Sequence, residues 1–211
     1  MSPEAIVQPM TNESLREAVK LWFDDNNECL RQYGHITHWD TSQITDMNRL
    51  FRRRYSFDEP LLWNTQYVTN MSYMFHECRS YNQPITLNTE NVTNMTCMFR
   101  KCLCYNQKTL FDTRNVVSMC GMFYGCKVFN QSLDFNTQNV ESMCGMFYNC
   151  EMFDQKLNFD MSNITNGENI ANMFHGCTYY RQPVYHLNIN TSIRDMINLN
   201  SRLYLELYKK M

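Results

Sequence analysis

Apolar residues recur along this chain with two periods at once, a short one inside each segment and a long one between segments. In FNQSLDF (129–135) apolar and polar residues alternate apart from Gln131, the period of a strand with one buried face. Met143, Met146, Phe147 and Cys150 fall at i, i+3, i+4 and i+7, which is one face of a helical turn or two. Val140-Glu141-Ser142-Met143 reads as a second, shorter extended piece. Asn136-Thr137 reads as a corner, where short side chains bond their own backbone.

The long period is 24 residues. Cys78, Cys102, Cys126 and Cys150 keep it, as do Met74-Phe75, Met98-Phe99, Met122-Phe123 and Met146-Phe147. The steps Tyr81-Asn82-Gln83, Tyr105-Asn106-Gln107, Phe129-Asn130-Gln131 and Phe153-Asp154-Gln155 keep it too. Trp39, Trp63, Leu87, Phe111, Phe135 and Phe159 each open a unit, which makes six copies. The first is degenerate, with Arg54 at the cysteine position and Glu59 at the glutamine position. The sixth carries an insertion near Asn166–Asn169 and recovers phase at Met173-Phe174, Cys177 and Gln182.

Such a period predicts a repeat solenoid, each unit stacking on the last. With short strands stacked about 4.8 Å apart, six units make a rod roughly 30 Å long. Its ends need covering. Residues 14–23 put Leu15, Ala18, Val19 and Trp22-Phe23 on one helical stripe after Thr11 and Asn12, which are capping-type residues. The expected organisation is a flexible 1–11, an N-terminal helical cap over 12–38, six repeats over 39–186 and a C-terminal cap over 187–211.

The recurring cysteines then read as small apolar side chains in one inward position. Stacked units also bring Cα atoms within disulfide range, so bonds between units are an alternative. Cys120 and Cys144 form a second column, with Cys97 one position out of line. Zinc-type spacing is absent, and no metal or cofactor is expected. Gln83, Gln107, Gln131, Gln155 and Gln182 read as a structural ladder of amides bonding one another along the axis. Asn-Val-Thr, Asn-Met-Thr and Asn-Gln-Ser match the glycosylation sequon but follow from the repeat consensus.

Charge and chemistry narrow the function. A formal charge of −2 argues against a nucleic-acid binder, and Arg52-Arg53-Arg54 read as solvated surface. The five histidines show no pairing with an acid at catalytic spacing, and no nucleophile elbow or phosphate-cradling loop is present. No enzyme is expected. No secretory signal or run of about 18 apolar residues is found, so no membrane insertion and an intracellular setting are expected, with mostly reduced thiols.

The units, especially WDTSQITDMNRLF and FNTQNVESMCGMFYNCEMFDQ, resemble the BspA-type leucine-rich repeats of bacterial and mycoplasmal surface proteins, also abundant in protists and large DNA viruses. The resemblance spans 39–186, and LREAVKLWFDDNNECLRQYGHITHWDTSQITDM is similar to the N-terminal cap that often precedes such arrays. It implies a leucine-rich-repeat-like fold with the Phe-Asn-Gln strand on a concave sheet. A viral member would work in the host-cell cytoplasm or the virion.

The function expected is a non-enzymatic protein–protein interaction scaffold, with self-association possible. The alternative is a structural component of a particle or surface layer. The candidate binding face is the outward row, formed by Asn82 and Pro84, Asn106 and Lys108, and Asn130, Ser132 and Asp134. Asp154, Lys156 and Asn158, then Arg181 and Tyr185, continue it.

Overall fold

The computed structural model describes residues 9–183. The chain enters through two helices, α1 (Asn12–Asp24) and α2 (Asn26–Tyr33), and a short 3₁₀ helix at Ile36–His38. Thr11 caps α1 in a reciprocal arrangement with Ser14, and Asp25 caps α2 by accepting from the Glu28 N–H. From Trp39 onward the chain winds into stacked 24-residue rungs, with one continuous apolar core running through them.

The rungs are not made of strands. Among the described residues there is no named strand and no sheet. The backbone meets its neighbour only in isolated parallel bridges: Asp46 with Asn70, Asn70 with Asn94, Asn94 with Ser118, Ser118 with Ser142, and Ile85 with Thr109. The expected leucine-rich-repeat-like solenoid of stacked strands and helical turns is therefore not the fold. In the Met-Phe segment left-handed backbone recurs. Arg49, Tyr73, Cys97, Gly121, Gly145 and Asn172 all have positive φ, as do Arg53, Glu77, Lys101, Gly125, Asn149 and Gly176. Two left-handed residues per rung interrupt any helix there. The expected strand at 129–135 has no left-handed residue; its Asn130 N–H bonds the Asn106 side chain instead of a backbone carbonyl, so no ladder forms.

What replaces both is a chain of tight turns with alternating hydrogen bonds. Met71, Tyr73, Phe75 and Glu77 donate their N–H groups to the next rung, to the carbonyls of Asn94, Thr96, Met98 and Arg100. Between them, Met74, His76 and Cys78 donate three residues back, to Met71, Tyr73 and Phe75. Each rung thus satisfies its own turns and bonds its neighbour, so no N–H in this stretch is left buried without an acceptor.

The corners form as expected. Asn64, Asn88, Asp112 and Asn136 accept, through side-chain oxygen, the N–H two residues on. The following Thr65, Thr89, Thr113 and Thr137 are buried, and each hydroxyl donates to a carbonyl of the next rung at 2.8–3.0 Å.

Inside, each position repeats as a column. Phe51, Phe75, Phe99, Phe123, Phe147 and Phe174 stack at 5.5–5.9 Å between ring centroids. Phe57, Tyr81, Tyr105, Phe129, Phe153 and Tyr180 form a second column beside it. Leu15, Ala18 and Val19 of α1 are buried against the first rung. Arg16 donates to the Asn48 carbonyl at 2.8 Å, and Asn12 Oδ1 accepts from the Thr45 and Asp46 N–H groups. Those polar groups point out of the open end of the stack, so α1 takes the place of a preceding rung. The proposed C-terminal cap lies outside the described residues.

Candidate functional site

The outward row divides in two. At its ladder positions the Asx side chains point along the stack. Asn82 Oδ1 accepts the Asn106 N–H at 2.9 Å, Asn106 Oδ1 that of Asn130 at 2.9 Å, and Asn130 Oδ1 that of Asp154 at 2.9 Å. Asp154 Oδ1 accepts from Arg181 at 2.7 Å, and Asp58 serves Asn82 in the same way at 2.8 Å. The glutamines join this ladder rather than form one of their own. Gln107, Gln131, Gln155 and Gln182 each donate Nε2 to the Asx oxygen of the preceding rung at 3.0–3.2 Å. An Asx oxygen has two lone pairs, enough for one backbone and one amide donor, so the expected amide-to-amide chain of glutamines is not formed.

Asn82, Asn106, Asn130 and Asp154 are accordingly half-buried, with this oxygen engaged inside the stack. Pro84, Lys108, Ser132, Asp134, Lys156, Asn158 and Arg181 stand exposed. Among the described residues no carboxylate lies in salt-bridge range of Lys108 or Lys156. Asp134 and Asn158 line an open depression of about 320 Å³ together with Asn136, Gln138 and Asp160. Tyr185 lies outside the described residues.

The cysteines separate into two kinds. Cys78, Cys102, Cys126, Cys150 and Cys177 are buried thiols, each donating to a phenylalanine carbonyl at 2.8–3.0 Å. Burial pushes the Cys78 and Cys177 thiols up to about 12, so they stay protonated and unreactive. In the second column Cys120 and Cys144 form a disulfide across adjacent rungs, their Cα atoms 4.7 Å apart. Among the described residues no group of three or more His, Cys, Asp or Glu side chains is arranged to hold a metal ion. Among them, too, no helix is long and apolar enough to cross a membrane.

A second exposed arc lies on the turn segment, and here the sequence reading missed an assembly. Arg49 sits over the Tyr73 ring at 5.1 Å, Arg79 over Tyr55 at 4.6 Å and Arg100 over Tyr124 at 3.9 Å. Tyr124, Tyr148 and His175 continue the last of these as a ring stack at 4.5 and 4.7 Å. Glu77, buried below, is held by Lys101 at 3.2 Å and Arg53 at 3.4 Å. Burial tends to raise its carboxyl, but the Lys101 hydrogen bond and the charges of Lys101, His76 and Arg53 bring it below its ordinary value. Burial lowers His76 to about 4, with Arg52, Arg100 and Lys101 adding to the effect and Glu77 opposing it. The signal for this arc was the register itself, because Arg49, Tyr73 and Cys97, or Arg100, Tyr124 and Tyr148, share a column only at an interval of 24.

No curated protein and no solved structure matches the chain. A family model does, twice in tandem, over residues 18–110 and 109–203, so that together the two matches take in the α1–α2 entry and the rungs. The chain belongs to the family described as DUF285, Mycoplasma protein of unknown function.

Proposed function

We propose that the chain is a non-enzymatic scaffold that binds another protein through exposed columns of its rungs. The observation that carries this reading is the division of labour within each rung. Core, corner and ladder positions repeat one residue type because they bond or pack on the same position of the next rung. The exposed positions between them change from rung to rung: Pro84, Lys108, Ser132, Lys156 in one column and Thr86, Leu110, Asp134, Asn158 in another. A stack of this kind offers a rigid surface whose chemistry varies without disturbing the core.

The formal charge of −2 favours a protein partner over a nucleic acid. The eight free cysteines favour a reducing, intracellular setting, with Cys120–Cys144 as the one bond formed among the described residues. The reading includes kinship with the BspA-type repeat proteins, on the strength of the repeat motif. A structural component of a particle is the second reading. The exposed Leu62 and Leu110 favour it, since apolar side chains left in water suit permanent incorporation.

The test is affinity capture from native cell extract, comparing the wild-type chain with Lys108→Glu, Lys156→Glu, Arg181→Glu. A protein recovered by the first and lost from the second supports the scaffold. Recovery of the chain itself or of one particle would move the reading to the structural component.

A further inference from the structure

The arc formed by the turn segments changes character along the stack. On its first three rungs it carries Arg49, Arg52, Arg53, Arg79, Arg100 and Lys101, with Glu77 the one acid of the segment. Among the described residues no carboxylate lies in salt-bridge range of Arg49, Arg52, Arg79 or Arg100. Three of those four lie over aromatic rings, which fixes the guanidinium plane and leaves N–H groups to meet carboxylates, apart from the Arg49 Nη1 bond to Asn48 at 3.4 Å. On the last three rungs the same arc carries an ion pair, Lys127 with Glu151 at 2.8 Å, and beside it an apolar column. Val128, Met152 and Tyr179 share a column and are 43%, 45% and 55% exposed. The chain as a whole is acidic, so this concentration of positive charge is local.

The geometry points to a docking surface for a polypeptide segment that is acidic at one end and apolar at the other. The inference rests on the scaffold reading but places the contact on a different arc from Lys108 and Lys156. Neighbouring phenylalanine rings are 5.5–5.9 Å apart. Five such steps make the arc about 28 Å long, which an extended segment of about eight or nine residues spans. Carboxylates at one end meet the arginines, and apolar side chains at the other cover Val128, Met152 and Tyr179. A nucleic acid fits less well. Its phosphates gain nothing from Val128 and Met152, and the faces of Tyr124 and Tyr148 are closed by Arg100, by each other and by His175, so bases cannot stack on the rings beside Arg100.

The experiment is selection of displayed random 12-residue peptides on the full chain, followed by binding measurements on the enriched peptides. The expected consensus has two or more Asp or Glu beside two or more large apolar residues. Arg52→Glu with Arg100→Glu should weaken an enriched peptide at least tenfold and remove most of its salt dependence. Val128→Ser with Met152→Ser should weaken it severalfold and leave the salt dependence unchanged. All four positions lie on the surface or at its edge, and an unchanged melting temperature shows that the variants fold. Lys108→Glu with Lys156→Glu should leave peptide binding unaltered, so loss of captured partner in that variant alone would uphold the scaffold while overturning this docking surface. Selection that yields no acidic–apolar consensus overturns the inference. So does displacement of the peptides by a 20-nucleotide oligothymidylate at lower concentration than by free peptide, which would assign the basic half to phosphates.

Discussion

Asn106 accepts, through its side-chain Oδ1, the backbone N–H of Asn130, 24 residues on, at 2.9 Å. The same oxygen takes the Gln131 amide at 3.1 Å. One side chain therefore holds two donors of the following rung. Asp154 does the equivalent work with a carboxylate, and Asp58 takes the Asn82 N–H alone. Asn106→Asp is expected to change stability by less than about 0.5 kcal/mol, whereas Asn106→Leu strands two half-buried donors and costs about 2–3 kcal/mol. Urea unfolding of the two variants beside the wild type checks this. Equal losses would remove the ladder from the account.

Four hydroxyls have the opposite problem. Tyr81, Tyr105, Thr109 and Tyr180 bury theirs with no hydrogen-bond partner among the described residues. The Tyr81–Tyr105 column uses phenylalanine at Phe129 and Phe153, and the Thr109 column uses Ile85 and Leu133. Tyr81→Phe, Tyr105→Phe and Thr109→Val should each raise stability by about 1 kcal/mol, because each removes a buried polar group that gains nothing by folding. Calorimetric melting temperatures of the three variants settle the sign.

The thiols can be counted. The chain has ten cysteines, and eight are free beside the Cys120–Cys144 bond. Unfolded protein should titrate eight thiols without reductant and ten after reduction. Breaking the bond opens a loop of 24 residues and should destabilise the fold by about 3.5 kcal/mol at most, with less expected where the cross-rung backbone bonds already hold the ends. Ten thiols in protein never exposed to reductant would contradict the bond.

His76 makes stability depend on pH. Its folded value of about 4 lies below the ordinary value of 6.5, so the unfolded chain binds the extra proton in between. Stability should therefore rise with pH across that window and fall as the pH drops from about 6.5 toward 4, by up to about 3 kcal/mol from this group. Glu77, held below its ordinary value, adds a further loss only as its carboxyl protonates at the acid end. His76→Gln should flatten the profile between pH 7 and 5 and leave the more acidic loss. An unchanged slope in the variant would assign the dependence to other groups.

The register was fully legible in the sequence. Every column of the core, the Asx corners and the buried cysteine row follow from the 24-residue interval and from burial. The backbone was not legible. Alternation such as FNQSLDF marks which side chains face inward, and a strand produces that pattern, but so does any stack whose segments turn at a fixed interval. What excluded the helical turns was left-handed backbone at Arg49, Tyr73 and Cys97, residue types with no preference for positive φ, so composition gave no warning. What excluded the strand at 129–135 was an Asx side chain taking the place of a backbone acceptor. The basic arc was hidden for another reason. Arg52-Arg53-Arg54 is a short charge run until Arg79 and Arg100 are placed beside it by the stack.

A different protein is proposed to contact the exposed columns of this stack. Amine-reactive cross-linking of the chain in native cell extract, read by mass spectrometry, is the test. Lys101, Lys108, Lys127 and Lys156 are exposed on the two arcs and report each one separately. Cross-links from these lysines to a second, reproducible protein are expected. Cross-links confined to the chain itself, or joining only copies of it, would overturn the scaffold reading.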